Sequence, residues 1–130
     1  MKNWLIIICV LWFVAPGEVF AQDDKVFTVD KLYSVLEKKP ENVVLVDVRT
    51  LEEYNEGKIA GAINIDVKSD YFSDSIQSLN KKQVYVLYCK SGVRQERAKG
   101  IMQEAGFKNI WLLEGGITEW IDEGKEIEEE

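Results

Sequence analysis

The stretch that decides the fold is VYVLYCKSGVR, residues Val84–Arg94. Its first part, Val84–Leu87, is apolar at every position, a pattern that favours a strand covered on both faces. The segment Val43–Val46 repeats the pattern. Cys89 follows the strand, and a helical pattern begins at Arg94. The stretch therefore predicts a strand, a tight loop and a helix, with the loop at the carboxyl edge of a parallel sheet, where α/β folds place their ligands.

Outward from this stretch, short β-branched runs alternate with amphipathic segments. Such alternation predicts a parallel sheet flanked by helices. The predicted strands are Val26–Thr28, Val43–Asp47, Ala62–Asn64, Val84–Tyr88 and Ile110–Leu113. The predicted helices are Val29–Lys38, Leu51–Asn55, Tyr71–Ser78, Arg94–Ala105 and Ile117–Glu123. The expected helix ends are a cap by Asp30, a capping box of Thr50 with Glu53, and a C-terminal turn at Gly106.

Length and composition limit the possible functions. A chain of 130 residues is the size of one domain with one core, and 46% hydrophobic with 30% charged residues is typical of a compact globule. The net charge of −7 argues against a general nucleic-acid binder, which needs clustered Lys and Arg. Histidine is absent, which excludes Cys–His and Ser–His nucleophile pairs and His-ligated zinc. We expect no metal and no cofactor.

The N-terminus has the order of a secretory signal. A short basic start, Met1–Asn3, precedes an apolar run, Trp4–Ala15, and small residues allow cleavage after Ala21. We therefore expect a signal peptide at 1–21 and one domain at 22–130, exported to a periplasm or secreted, without stable membrane insertion after cleavage. The alternatives are an uncleaved membrane anchor or a buried strand. Cys9 would leave with the signal.

Cleavage would leave Cys89 as the only cysteine, so an internal disulfide and a Cys-x-x-Cys pair are both excluded. One interpretation is a buried, inert core cysteine. The other follows from the residues that come next, which we call the cysteine loop (Cys89–Arg94). Gly92 allows backbone N–H groups to curl around the sulfur, and Lys90 and Arg94 add positive charge. Together with the helix N-terminus, these features favour a nucleophilic thiolate.

Several blocks of the sequence occur in an order typical of one family. They are Asp47-Val48-Arg49 with Glu53-Tyr54, then Gly57–Asn64, the cysteine loop, Ala98, Gly106-Phe107, and Leu113–Ile117 through Trp120. In these blocks the chain resembles the rhodanese-like sulfurtransferases over nearly its whole mature length. The resemblance implies an α/β fold around a five-stranded parallel sheet with helices on both faces.

The resemblance also implies a double-displacement reaction. Cys89 would take the outer sulfur from a small donor such as thiosulfate, hold it as a persulfide, and pass it to cyanide or a thiol. The expected substrate-binding residues are Lys90, Ser91, Gly92, Val93 and Arg94. A protein acceptor is also possible. Phosphatases of the same fold resemble Cys-x5-Arg, whereas here only four residues separate Cys89 from Arg94, and the smaller cradle fits sulfur better than phosphate.

Asp47 and Arg49 end the strand beside the predicted loop. Arg49 would bind an anionic donor, or the two side chains would pair internally and brace the loops. The chain also departs from the family pattern, with Lys58 for histidine, Ala60 for proline, Gln95 for a small serine, and Glu53 where the tandem-domain enzymes carry an arginine. These departures leave the donor open. A carrier or binding module without turnover, and a scaffold with an inert cysteine, are the remaining alternatives.

Overall fold

The computed structural model describes residues 25–129, so the predicted signal at 1–21 and Cys9 lie outside the described residues. The strands are β1 Val26–Phe27, β2 Val43–Asp47, β3 Ile63–Asn64, β4 Val84–Tyr88 and β5 Ile110–Leu113. The helices are α1 Val29–Glu37, α2 Leu51–Glu56, α3 Phe72–Gln77, α4 Val93–Glu104 and α5 Gly116–Asp122. Each predicted element is present, with ends that differ by no more than one residue, and the predicted α/β class is confirmed.

The strands form one parallel five-stranded sheet in the order β1-β5-β4-β2-β3. The long strands β2, β4 and β5 lie in the middle, and the two edge strands, β1 and β3, have two residues each. Each strand is joined to the next strand along the chain through a helix, as parallel strands require. This arrangement places the carboxyl end of β4 at the centre of one edge.

Helices cover both faces of the sheet, and side chains of β4 point to each in turn. Tyr85 and Leu87 pack with α3 and α4 in one hydrophobic cluster. Val86 and Tyr88 pack with α1, α2 and α5 in the other. The double burial explains why the strand is apolar at every position instead of alternating with polar residues. Cys89 continues the alternation into the α3 and α4 face.

Of the three helix ends expected from the sequence, one is wrong and two are confirmed. Thr28, not Asp30, caps α1, because the extended Thr28 backbone lets its hydroxyl accept the N–H of Lys31 over 3.3 Å. Asp30 lies two residues further along, in the first turn, where its charge favours the helix N-terminus. The capping box at the start of α2 is present. α4 ends in a Schellman motif at Gly106, whose N–H and that of Phe107 donate back into the last turn.

Within residues 25–129, no helix has both the length and the apolar character needed to cross a membrane.

Candidate active site

Cys89 lies at the middle of the carboxyl edge of the sheet. It directly follows β4, which pairs with β2 on one side and β5 on the other. The residue is buried, with 1% of its surface exposed. Only Lys90–Gly92 separate it from α4. The sulfur therefore sits where a central strand ends and a helix of twelve residues begins.

Gly92 makes the turn of the cysteine loop. Its φ of 110° is in the left-handed region, which disfavours a side chain. In this conformation its N–H donates a hydrogen bond to Sγ of Cys89 over 3.1 Å. No side chain caps the first turn of α4, so the free N–H groups and the positive end of that helix begin at the next residue. The backbone thus favours negative charge on the sulfur.

The side chain of Gln95 fixes the backbone of Cys89. Its Oε1 accepts the Cys89 N–H over 3.0 Å, and its Nε2 donates to the carbonyl of Leu113 over 2.7 Å. The residue is 3% exposed. A small serine is too short to join the ends of two strands in this way. The sequence departure at this position therefore has a structural function, which the sequence analysis did not identify.

The first turn of α5 fastens the same loop from the other side. The N–H of Ile117 donates to the carbonyl of Cys89 over 2.9 Å, and the N–H of Thr118 donates to the carbonyl of Lys90 over 3.0 Å. Gly116 permits this approach, since a Cβ there would lie 2.5 Å from the Cys89 carbonyl oxygen. The backbone N–H groups of α5 and of Gly92, together with the side-chain amide of Gln95, therefore position Cys89 without any charged group.

Arg94 closes the cysteine loop but does not offer a free charge. Its guanidinium donates two hydrogen bonds to the carboxylate of Glu53, over 2.7 and 2.8 Å. These bonds lower the pKa of Glu53 to about 2. They also raise the pKa of Arg94, with a smaller contribution in the same direction from Cys89. Both members of the pair are therefore ionised at neutral pH, and their charges compensate each other.

Asp47 and Arg49 form an internal pair. The guanidinium of Arg49 donates to both oxygens of Asp47 and to the carbonyl of Gly57; Asp47 is 0% exposed and Arg49 is 6% exposed. Burial opposes the charge on Arg49, but its bonds to Asp47 outweigh burial and raise its pKa. Burial also raises the pKa of the neighbouring Tyr88 hydroxyl, which accepts the N–H of Ile59. Of the two expectations, the structure shows the brace.

The remaining predicted site residues form the rim. Lys90, Ser91 and Val93 are exposed, and Val93 keeps 76% of its surface open to solvent. The structure therefore brings together Cys89 and its loop, places three loop side chains outward, and buries Asp47 with Arg49. Sequence reasoning missed two contributors, Glu53 as the partner of Arg94 and Gln95.

A separate groove of about 770 Å³ lies between α1 and the end of α5. Tyr33, Pro40, Trp120 and Lys125 are among its lining residues, and none of the lining residues belongs to the cysteine loop. Lys125 Nζ lies 4.5 Å from the centre of the Tyr33 ring. The groove is open and contains no cysteine, whereas the cysteine loop places a sulfur beside a backbone N–H donor. Within the described residues, no cluster of His, Cys, Asp and Glu could hold a metal ion.

This arrangement can do one kind of chemistry well. A buried sulfur that accepts a backbone N–H, at the start of a helix, can act as a nucleophile and can hold a second sulfur atom against neighbouring N–H groups. The chain contains no histidine, so no imidazole base accompanies the sulfur.

Comparison with known proteins agrees with the fold. A family model described as a rhodanese-like domain matches residues 28–123. The tRNA uridine(34) hydroxylase of Photorhabdus laumondii is 33% identical over 117 residues, covering 80% of this chain and 33% of that protein. The chain thus spans about a third of the length of this curated relative.

Solved structures of rhodanese-like proteins also share this fold. A rhodanese-related protein from Thermoplasma volcanium superposes with a TM-score of 0.71 at 28% identity, covering 82% of this chain and 99% of that one. A rhodanese-like domain protein from Staphylococcus aureus gives a TM-score of 0.69 at 33% identity, covering 82% and 98%. With the family model matching most of its length and the whole five-stranded fold shared, the chain belongs to the rhodanese-like domain family.

Proposed function

We propose that this protein is a sulfurtransferase that carries a sulfane sulfur on Cys89. It takes the outer sulfur of a donor such as thiosulfate and passes it to cyanide or to a thiol. The observation that carries the proposal is the hydrogen bond from the Gly92 N–H to the Cys89 sulfur, over 3.1 Å, at the start of α4. Family membership supports it.

The reaction has two displacements. In the first, the Cys89 thiolate attacks the outer sulfur of the donor; the new S–S bond forms as the donor's own bond to that sulfur breaks, and sulfite leaves when the donor is thiosulfate. In the second, the acceptor attacks the terminal sulfur, and the thiolate of Cys89 is released. No electrons are gained or lost overall, so the cycle needs no redox cofactor.

The surrounding residues act by position and charge. The backbone from Lys90 to Arg94 surrounds the terminal sulfur, so its N–H groups stabilise the anion that develops on either sulfur. The hydrogen bonds of Gln95 and of α5 hold Cys89 at that place before the donor arrives, which favours reaction through orientation. Lys90, Ser91 and Val93 form the exposed entrance for donor and acceptor.

The test is to load the protein and follow the sulfur. Incubation of the full chain with excess sulfur donor, followed by intact-mass and peptide mass spectrometry, should show one added sulfur on Cys89. The adduct should disappear on addition of cyanide and be absent in Cys89→Ser. Steady release of thiocyanate identifies an enzyme with turnover, whereas one stoichiometric loading identifies a carrier module. A protein that is never loaded by any sulfane donor contradicts the proposal.

We also propose that the protein is exported, on the basis of the signal-like residues 1–21. Expression of the full chain and N-terminal sequencing of the exported fraction should give a product that begins at Gln22. A protein that keeps Met1 and stays in the cytoplasm contradicts export. Action on tRNA, which belongs to the name of the P. laumondii relative, is not part of the proposal, since a net charge of −7 is unfavourable for contact with phosphates.

A further inference from the structure

The arginines at the carboxyl edge of the sheet are both compensated by carboxylates. Arg49 is paired with Asp47 in the core, and Arg94 is paired with Glu53 beside the cysteine loop. Lys90 forms no ion pair within residues 25–129 and is exposed. Hydrated surface lysine gives a weak attraction that salt screens easily. Of the two cations in the cysteine loop, Arg94 is therefore compensated by Glu53, and only the screened charge of Lys90 is left to attract a donor anion.

Glu53 is the group that sets this balance. It lies on α2, and its carboxylate occupies both ends of the Arg94 guanidinium that would otherwise face an anion. The same carboxylate accepts the N–H and the hydroxyl of Thr50, which fix it in place. An anion that approaches Arg94 must compete with a carboxylate already held in bidentate geometry, and it is repelled by the same charge.

We propose that Glu53 makes the site select a donor of low charge, an alkyl persulfide R–S–SH, over the thiosulfate dianion. The inference rests on the proposed function of Cys89 and names its substrate class. The Cys89 thiolate attacks the terminal sulfur of R–S–SH, the bond from Sγ to that sulfur forms, and the S–S bond of the donor breaks. The products are Cys89–S–SH and R–S⁻. Atoms and charge balance, and no further oxidant or reductant takes part.

The experiment compares two donors on three proteins. Rapid-quench mass spectrometry, with the added sulfur localised to Cys89 by peptide mapping, gives the second-order loading rate for thiosulfate and for 2-hydroxyethyl persulfide. The proteins are the full-length wild type, Glu53→Gln and the matched control Glu52→Gln. Glutamine at position 53 preserves the capping box, because an amide oxygen can still accept the Thr50 N–H. Glu52 is exposed on the same helix, so the Glu52→Gln substitution removes the same charge.

In Glu53→Gln the thiosulfate rate should rise about tenfold, as expected when one nearby charge is removed, while the persulfide rate stays within about twofold. The thiosulfate rate of this variant should also fall more steeply with salt than that of the wild type, because Arg94 becomes available to the anion. Glu52→Gln should leave both rates unchanged. Thermal unfolding verifies that all three proteins are folded.

Three results would overturn the inference. Unchanged rates in Glu53→Gln show that the pair does not control the donor. An equal change for both donors shows that Glu53 acts on the shape of the loop and not on donor charge. A rise of equal size in Glu52→Gln shows a general surface-charge effect. In all three cases Cys89 is still loaded and the proposed function stands, whereas failure of both donors on the wild type removes the proposed function itself.

Discussion

Replacing Gly116 with alanine tests whether the first turn of α5 holds the loop that carries Cys89. Gly116 has a φ of 62°, and an added Cβ would lie 2.5 Å from the carbonyl oxygen of Cys89 and 2.7 Å from that of Lys90. Ordinary van der Waals contact begins at 3.4 Å, so the shorter contact is deficient by 3.4 − 2.5 = 0.9 Å. Both neighbours are backbone atoms, which cannot rotate away. The cysteine loop must move instead.

The expected magnitude has two parts. An alanine in the left-handed region costs about 1 kcal/mol, and overpacking against backbone adds about 2 kcal/mol. The unfolding free energy of Gly116→Ala should therefore fall by about 3 kcal/mol. A displacement of the loop by roughly 1 Å should also slow sulfur loading of Cys89 by about 100-fold.

Gly124 provides the matched control. Its φ is 80°, and a Cβ there would meet nothing within 4 Å, so Gly124→Ala carries the conformational cost without the contact. Urea unfolding gives the stability of each variant, and rapid-quench mass spectrometry gives the loading rate. Gly124→Ala should lose about 1 kcal/mol and load normally. If Gly116→Ala loses no more stability than this control, or loads at the wild-type rate, the fastening by α5 is not what positions Cys89.

Three further predictions concern charge, hydrogen bonding and helix propensity. The Glu53 pKa of about 2 lies below the unfolded value of 4.5, so its ion pair with Arg94 stabilises the fold above pH 4.5, and this contribution is lost as the pH falls toward 2. Urea unfolding should show Glu53→Gln less stable than wild type by about 1 kcal/mol at pH 7 and equally stable near pH 2; a difference independent of pH would disprove the assignment. Gln95→Met leaves the Cys89 N–H buried without its partner and should cost about 2 kcal/mol, so an unchanged melting temperature would contradict the role of the amide. Gly100 lies exposed in α4 with nothing within 4 Å of an added Cβ, and Gly100→Ala should raise stability by about 1 kcal/mol in the same urea assay; a loss would show that the glycine is needed there.

The central strands could be predicted from the sequence, because burial on both faces of the sheet makes such strands apolar at successive positions. The bounds of β2, β4 and β5 coincide with those predicted from their apolar runs. The ends of the helices are less certain, since they depend on which side chain reaches a free N–H. Thr28 and Asp30 are both good capping residues, and the extended backbone of Thr28 decides between them.

The site was predictable in part. The position of Cys89 and the turn at Gly92 follow from a strand, a glycine and a helix in succession. The partner of Arg94 does not, because Glu53 lies 41 residues away in sequence and comes near only since α2 and α4 both begin at the carboxyl ends of paired strands. Its signal was present in the capping box, which fixes the Glu53 side chain, but a capping pattern alone does not tell which cation lies nearby.

The short edge strands have a consequence for how the protein behaves at high concentration. An exposed strand offers unpaired N–H and C=O groups to other chains, and long flat edges promote aggregation. In residues 25–129, β1 and β3 each offer only two residues of ladder, while the long apolar strands are enclosed between them. A foreign strand would gain few backbone bonds at either edge. The strongly β-forming sequence VYVLY of β4 therefore cannot form amyloid-type pairs with other chains while the sheet remains folded.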